Sequence, residues 1–146
     1  MNLQQIRTVI PLKTPNYNEY WRHFARQRWM ICGIYAAGIL VLSLMPAGAF
    51  DEAPEILPHQ DKIFHALLYG GFAFLLGRAL PGFVSRRPWA AAAAIVLLAA
   101  SYGALMEILQ GSLPLIAREC SPADMLANLA GAVIGIIPII IFHVKR

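Results

Sequence analysis

Hydrophobic positions gather into four long runs, at residues 29–45, 63–83, 89–109 and 124–144. Each approaches the roughly 20 residues that a helix needs to cross about 30 Å of hydrocarbon. The first run is short, and an untilted helix or a locally thin bilayer accommodates it. The Ala-rich stretch at 90–94 favours helix, and an open sheet edge cannot be satisfied in lipid. The pattern predicts an all-α integral membrane four-helix bundle over residues 29–146, preceded by a tail over residues 1–28. In that tail Tyr17, Tyr20, Trp21 and Phe24 recur at i, i+3, i+4 and i+7, while Arg22, His23 and Arg26 take other faces. This spacing predicts an amphipathic helix lying at the membrane surface. The tail lacks the short apolar core and small-residue cleavage site of a signal peptide. Trp29 and Trp89 fall at the expected boundaries, as an aromatic belt requires.

Composition supports the bilayer as solvent. Of the 146 residues 58% are hydrophobic and 14% charged, and the mean hydropathy is +0.57. That is too apolar for an ordinary soluble domain of this size. Charge placement then predicts orientation. All of the 12 Lys and Arg except Lys62 and Arg118 fall in the tail, between the second and third runs, or at the C-terminus. The positive-inside rule therefore puts both termini in the cytoplasm of a multi-pass cell-membrane protein. Asp51, Glu52, Glu55, Asp61, Glu107, Glu119 and Asp124 fall on the outer side and Glu19 on the inner. The basic pI is thus a topogenic signal beside lipid, and no nucleic-acid partner is expected. Cys32 and Cys120 fall on opposite sides of the membrane and cannot pair within one chain. Neither C-x-x-C nor a His pair at zinc spacing is present, so no metal and no cofactor are expected.

Polar residues mark one end of three runs, and in this topology those ends share the outer face. Asp61, His65 and Tyr69 recur at i, i+4 and i+8 and form one stripe. A carboxylate there can orient an imidazole, which serves a general base or a proton relay. Asp61 also stands where a helix start needs an N-cap. Glu107 follows the small residues Ala99, Ala100 and Gly103, which let another helix approach, and Gln110 lies three residues on. Its carboxylate is expected to face protein, as an acid–base group, a cation ligand or a structural tie between helices. Ser121, Pro122 and Asp124 read as N-cap, first helical residue and capping-box acid. Asp124, Asn128, Gly131 and Gly135 also form one polar-to-small stripe that faces a partner helix. Pro138 is expected to bend the fourth helix. Capping accounts for part of Asp61 and Asp124, which shifts the functional weight to His65, Glu107 and Arg118.

These residues carry a resemblance. Asp61-Lys62-Ile63-Phe64-His65 with Tyr69, Tyr102-Gly103 with Glu107 and Gln110, then Arg118, Ser121, Asp124, Asn128 and Gly131 resemble the VanZ-like family of bacterial membrane proteins. The matching positions spread over residues 61–135, and the tail and first run carry little of the signal. The family is named for a protein giving low-level resistance to the glycopeptide teicoplanin. The resemblance implies a cell-envelope role rather than a defined reaction. It leads to an accessory or binding protein that recognises a lipid-linked envelope precursor or a glycopeptide. Lys62 and Arg118 would meet anionic groups, with Tyr69, Gln110 and Asn128 as further binding residues and Gly103, Gly131 and Gly135 as packing positions. Two alternatives stay open. In an intramembrane enzyme acting on a lipid headgroup, His65 is the base, Asp61 its orienter and Glu107 or Asp124 the acid. A proton-coupled carrier would need a homo-oligomer to surround a pathway, because the four runs hold no evident internal repeat.

Overall fold

The computed structural model describes residues 17–50 and 58–144, without the side chains of 17–23, 47, 50 and 143–144. The tail ahead of Tyr17, the acidic residues Asp51, Glu52 and Glu55, and Lys145 and Arg146 lie outside the described residues. Every described element is helical. The four long helices are α1 (Tyr17–Ser43), α2 (Gln60–Ala79), α4 (Pro88–Ser112) and α5 (Pro122–Val144), with a short α3 (Pro81–Arg86) between α2 and α4. Single 3-10 turns, Ala47–Phe50 and Pro114–Ile116, lie in the two connections at the opposite end of the bundle.

The amphipathic stretch and the first apolar run are joined in one unbroken helix of 27 residues. No Gly or Pro interrupts the chain from Tyr17 to Cys32, so nothing stops the helix at Trp29. The second run, by contrast, is divided before its expected end at residue 83. Leu80 caps α2 and its N–H bonds to the Leu76 carbonyl. Pro81 then opens α3. Proline has no N–H to continue the ladder and its ring disfavours helical backbone at the residue before it, so Pro81 ends one helix and starts another. Pro88 does the same for α4. The fourth run is helical through Pro138.

The tightest packing joins α2 to α5, which run parallel. A Cβ built on Gly131 would enter the Ala66 backbone carbonyl, and one on Gly135 would enter that of Gly70. Two backbones therefore touch along a stripe of small residues four apart on each helix, as the Gly131 and Gly135 spacing predicted. Below it Ile136 and Ile139 close over Gly77. On the other side of α5, a Cβ on Gly103 would fall 2.7 Å from Asn128 Nδ2, so that glycine admits the Asn128 side chain. Helix α1 is tied on by hydroxyls: Tyr102 donates to the Ala36 carbonyl at 2.8 Å and Tyr35 to the Leu68 carbonyl at 3.1 Å. The Tyr102 ring also packs on Phe72, with ring centroids 5.4 Å apart.

The outer surface of the bundle is apolar. Leu97, Leu126, Ile134 and Phe142 are each more than 60% exposed. In α4 and α5, among the described residues the two helices long and apolar enough to cross a membrane, only 28% and 33% of the apolar window is buried. A core helix of a soluble domain would hide most of such a stretch. Contiguous exposed apolar surface on this scale calls for an apolar medium, and lipid is the medium that fits it.

Candidate functional site

The helix ends that carry the polar residues meet at one end of the bundle. This follows from direct contacts. Gln110 Nε2, near the end of α4, donates to the Ser43 carbonyl at the end of α1 over 2.9 Å. Lys62 Nζ, in the first turn of α2, reaches Asp124 Oδ1 in the first turn of α5 at 3.2 Å. Chain separations above 60 residues thus close at a single level.

At the centre stand His65, Glu107 and Asn128. His65 Nδ1 lies 3.0 Å from Asn128 Oδ1 and 3.7 Å from Glu107 Oε1. Asn128 is fully buried and Glu107 is 1% exposed. Glu107 Oε2 accepts a hydrogen bond from the Ser121 backbone N–H at 3.1 Å, whereas Oε1 has no hydrogen-bond partner. Buried carboxylates normally have every oxygen paired, so Oε1 and the imidazole beside it form a polar centre with spare capacity.

Three readings of the sequence need correction. Asp61 is not the N-cap of α2: that position is His59, in left-handed backbone with no side-chain cap bond. Nor does Asp61 orient His65, because its carboxylate bonds Lys62 at 2.7 Å while Asn128 and Glu107 stand against the imidazole. The i to i+4 spacing put both on one stripe, but Lys62 next in sequence is the stronger competitor for an exposed carboxylate. The capping box at Ser121 is also half formed. Ser121 Oγ accepts from the Asp124 N–H at 3.3 Å as an N-cap should. The return bond to the Ser121 N–H comes from Glu107, which frees the Asp124 carboxylate for Lys62.

Outside the apolar run, the Lys62 ammonium holds the Asp61 carboxyl below the usual carboxylate range. Asp61 and Asp124 together raise the Lys62 ammonium above its ordinary value. A depressed carboxyl contributes stability above its unfolded pKa of about 4 and loses it as pH falls through the folded value. A raised ammonium contributes below its unfolded pKa of about 10.4 and loses it as pH rises through the folded one. Between those limits the Asp61–Lys62 pair is fully charged.

A cavity of about 470 Å³ opens beside this centre between α1, α2, α4 and the segment before α5. Leu42, Phe64 and Leu68 form its apolar wall, and Asp61, His65 and Arg118 supply charge or titratable nitrogen. Gln110 also lines it. Of the binding residues expected from sequence, Arg118 and Gln110 thus reach the cavity, Lys62 pairs with the cavity residue Asp61, and Asn128 stands against His65. Tyr69 lies elsewhere. It is 1% exposed, packed toward Tyr102 at 6.5 Å between ring centroids, with its hydroxyl unpartnered. Leu42 and Leu68 were not singled out from sequence, and Phe64 entered only as part of the family motif, since an apolar wall looks like any other lipid-facing position until the helices are placed.

No curated protein and no solved structure matches this chain. The sequence profile of the family described as VanZ/LLP1 matches residues 8–143. The match takes in most of the tail and the first apolar run, well beyond the residues 61–135 that carry the motifs, as well as every residue of the polar centre. Family and exposed apolar surface agree on membrane association. With the match covering nearly the whole chain, the protein belongs to the VanZ/LLP1 family.

Proposed function

We propose that this protein is a multi-pass membrane protein with both termini in the cytoplasm, whose polar centre faces the cell envelope and binds the anionic headgroup of a lipid-linked envelope component. The cavity is the observation that carries this reading. Its apolar wall of Leu42, Phe64 and Leu68 suits an acyl or prenyl chain, and His65 and Arg118 are placed for a headgroup. An amphiphile needs both surfaces side by side. Arg118 is suited to phosphate because a guanidinium offers paired donors in one plane. Orientation rests on charge: Arg78, Arg86 and Arg87 all lie at the bundle end opposite the cavity, which the positive-inside rule assigns to the cytoplasm. The tie of the VanZ family to glycopeptide resistance fits a protein acting on the lipid-linked substrates that glycopeptides engage.

A second reading has one observation in its favour. The pairing of His65 with an unpartnered Glu107 oxygen at 3.7 Å is an arrangement for moving a proton, as headgroup hydrolysis or transfer requires.

Two measurements test these proposals. A thiol reagent that cannot cross membranes is expected to label the exposed Cys120 in intact cells and to leave Cys32 untouched; labelling of Cys120 only after lysis reverses the orientation. Deletion of the gene is expected to change the pool of lipid-linked envelope precursors, with restoration by the wild-type chain. An unchanged precursor profile, under glycopeptide challenge as well, sinks the envelope-lipid reading.

A further inference from the structure

The polar centre has a property that headgroup binding does not use. One donor atom from each of His65, Glu107 and Asp124 lies within 4.8 Å of the other two. We propose that these three side chains hold one divalent transition-metal ion, of the zinc or manganese class, at the junction of α2, α4 and α5. The inference goes beyond headgroup recognition and stands or falls separately from it.

Glu107 supplies the first argument. It is 1% exposed, and its Oε1 faces His65 with no hydrogen-bond partner. A carboxylate oxygen removed from water and left unpaired is costly unless a proton or a cation sits on it. The nearest ammonium does not relieve that cost, because Lys62 is engaged by Asp61 and Asp124.

The donor set and its bracing supply the second. One imidazole nitrogen with two carboxylates is a ligand set suited to zinc or manganese, and too nitrogen-poor for copper and too sulfur-free for an iron–sulfur cluster. A tetrahedral shell with bonds near 2.1 Å sets donors about 3.4 Å apart. His65 Nδ1 and Glu107 Oε1 stand at 3.7 Å, near that spacing, and a carboxylate oxygen of Asp124 lies within 4.8 Å of a donor atom on each. Asn128 Oδ1, 3.0 Å from His65 Nδ1, is in place as a fourth donor. Each carboxylate is held by a group outside the cluster: Ser121 N–H bonds Glu107 Oε2, and Lys62 bonds Asp124 Oδ1. Ligands of protein metal sites are oriented in this way by groups behind them. His65 also lines the cavity, so an ion bound there would lie against the space assigned to the headgroup.

Sequence spacing could not reveal such a site. Its donors come from three helices, none within a short motif, so a search for paired His or Cys passes over them.

The test uses the full-length chain in lipid nanodiscs, carrying Cys120→Ser to remove the exposed thiol as a competing zinc ligand. After chelator treatment and dialysis against buffered Zn²⁺, elemental analysis is expected to find one tightly held zinc per chain. Glu107→Gln and His65→Gln are expected to weaken uptake at least about tenfold, and His59→Gln, at an exposed position away from the cluster, to leave it unchanged. Co²⁺ substitution needs no ligand variant: one saturable equivalent with visible bands of nitrogen and oxygen coordination is expected. Uptake that never saturates near one equivalent, or equal affinity in correctly folded Glu107→Gln, overturns the site and assigns Oε1 to a protonated carboxyl.

Discussion

Gly131→Ala is expected to unfold or reorganise the bundle, and it should be among the most damaging single methyls that can be added to the described helices. The reason is the atom it meets. A Cβ at Gly131 enters the backbone carbonyl of Ala66, and backbone cannot rotate aside as a side chain does. Helices α2 and α5 must separate, which also withdraws Asn128 from His65 and Asp124 from Lys62. Overpacking of a rigid contact costs about 1–3 kcal/mol and more where nothing can relax, against a total stability of about 5–15 kcal/mol for a typical folded domain. Gly135→Ala should behave alike, since its Cβ enters the Gly70 carbonyl. Gly33→Ala and Gly38→Ala are the controls, because nothing lies within 4 Å of either added Cβ. They should be neutral or slightly stabilising, as Ala exceeds Gly in helix propensity by about 1 kcal/mol. Thermal unfolding in one detergent ranks the four. Equal midpoints for Gly131→Ala and Gly33→Ala would mean that α2 and α5 do not touch as described.

The second large effect is on function. Glu107→Gln keeps volume and shape, and its amide oxygen can still accept the Ser121 N–H that Glu107 Oε2 accepts at 3.1 Å. What is lost is a buried carboxyl beside His65 that can hold or release a proton. The variant should therefore assemble in the membrane with near-normal thermal stability and fail to restore the precursor profile of a deletion strain. Glu107→Ala is a poorer probe, because it also strands the Ser121 N–H and leaves a void. Full restoration by Glu107→Gln would reduce Glu107 to a tie between α4 and the start of α5.

Much of this architecture is legible in the sequence, and the limits have physical causes. The apolar runs mark α1, α4 and α5 because length and hydropathy are properties of one segment at a time. Gly131 and Gly135 mark a close helix contact because a four-residue spacing of small residues fixes a face. The break at Leu80 is also local: Pro81 announces it, but the run of apolar residues through Phe83 hides it from a reading based on hydropathy. Side-chain pairing is different in kind. Whether Asp61 turns to His65 or to Lys62, and whether the Ser121 N–H finds Asp124 or Glu107, depends on how helices are rotated against one another. Spacing within one helix carries no information on that. Convergence of the polar ends was readable from topology, whereas the orphaned oxygen of Glu107 and the cavity beside His65 emerge only with all four helices in place.

The proposed recognition of an anionic headgroup on a lipid chain, in the pocket beside His65, makes a direct prediction about binding. Native mass spectrometry of the intact protein, titrated with a polyprenyl phosphate and with the matching uncharged polyprenol, tests it most directly. The two ligands share a tail, so only the headgroup contacts around His65 and Arg118 distinguish them. Hydrogen bonds to a charged group contribute about 1.5–3 kcal/mol, which corresponds to roughly ten- to hundredfold in affinity. The phosphate is expected to bind saturably at one molecule per chain and at least about tenfold more tightly than the alcohol. Equal retention of the two, or retention of neither, would contradict the account.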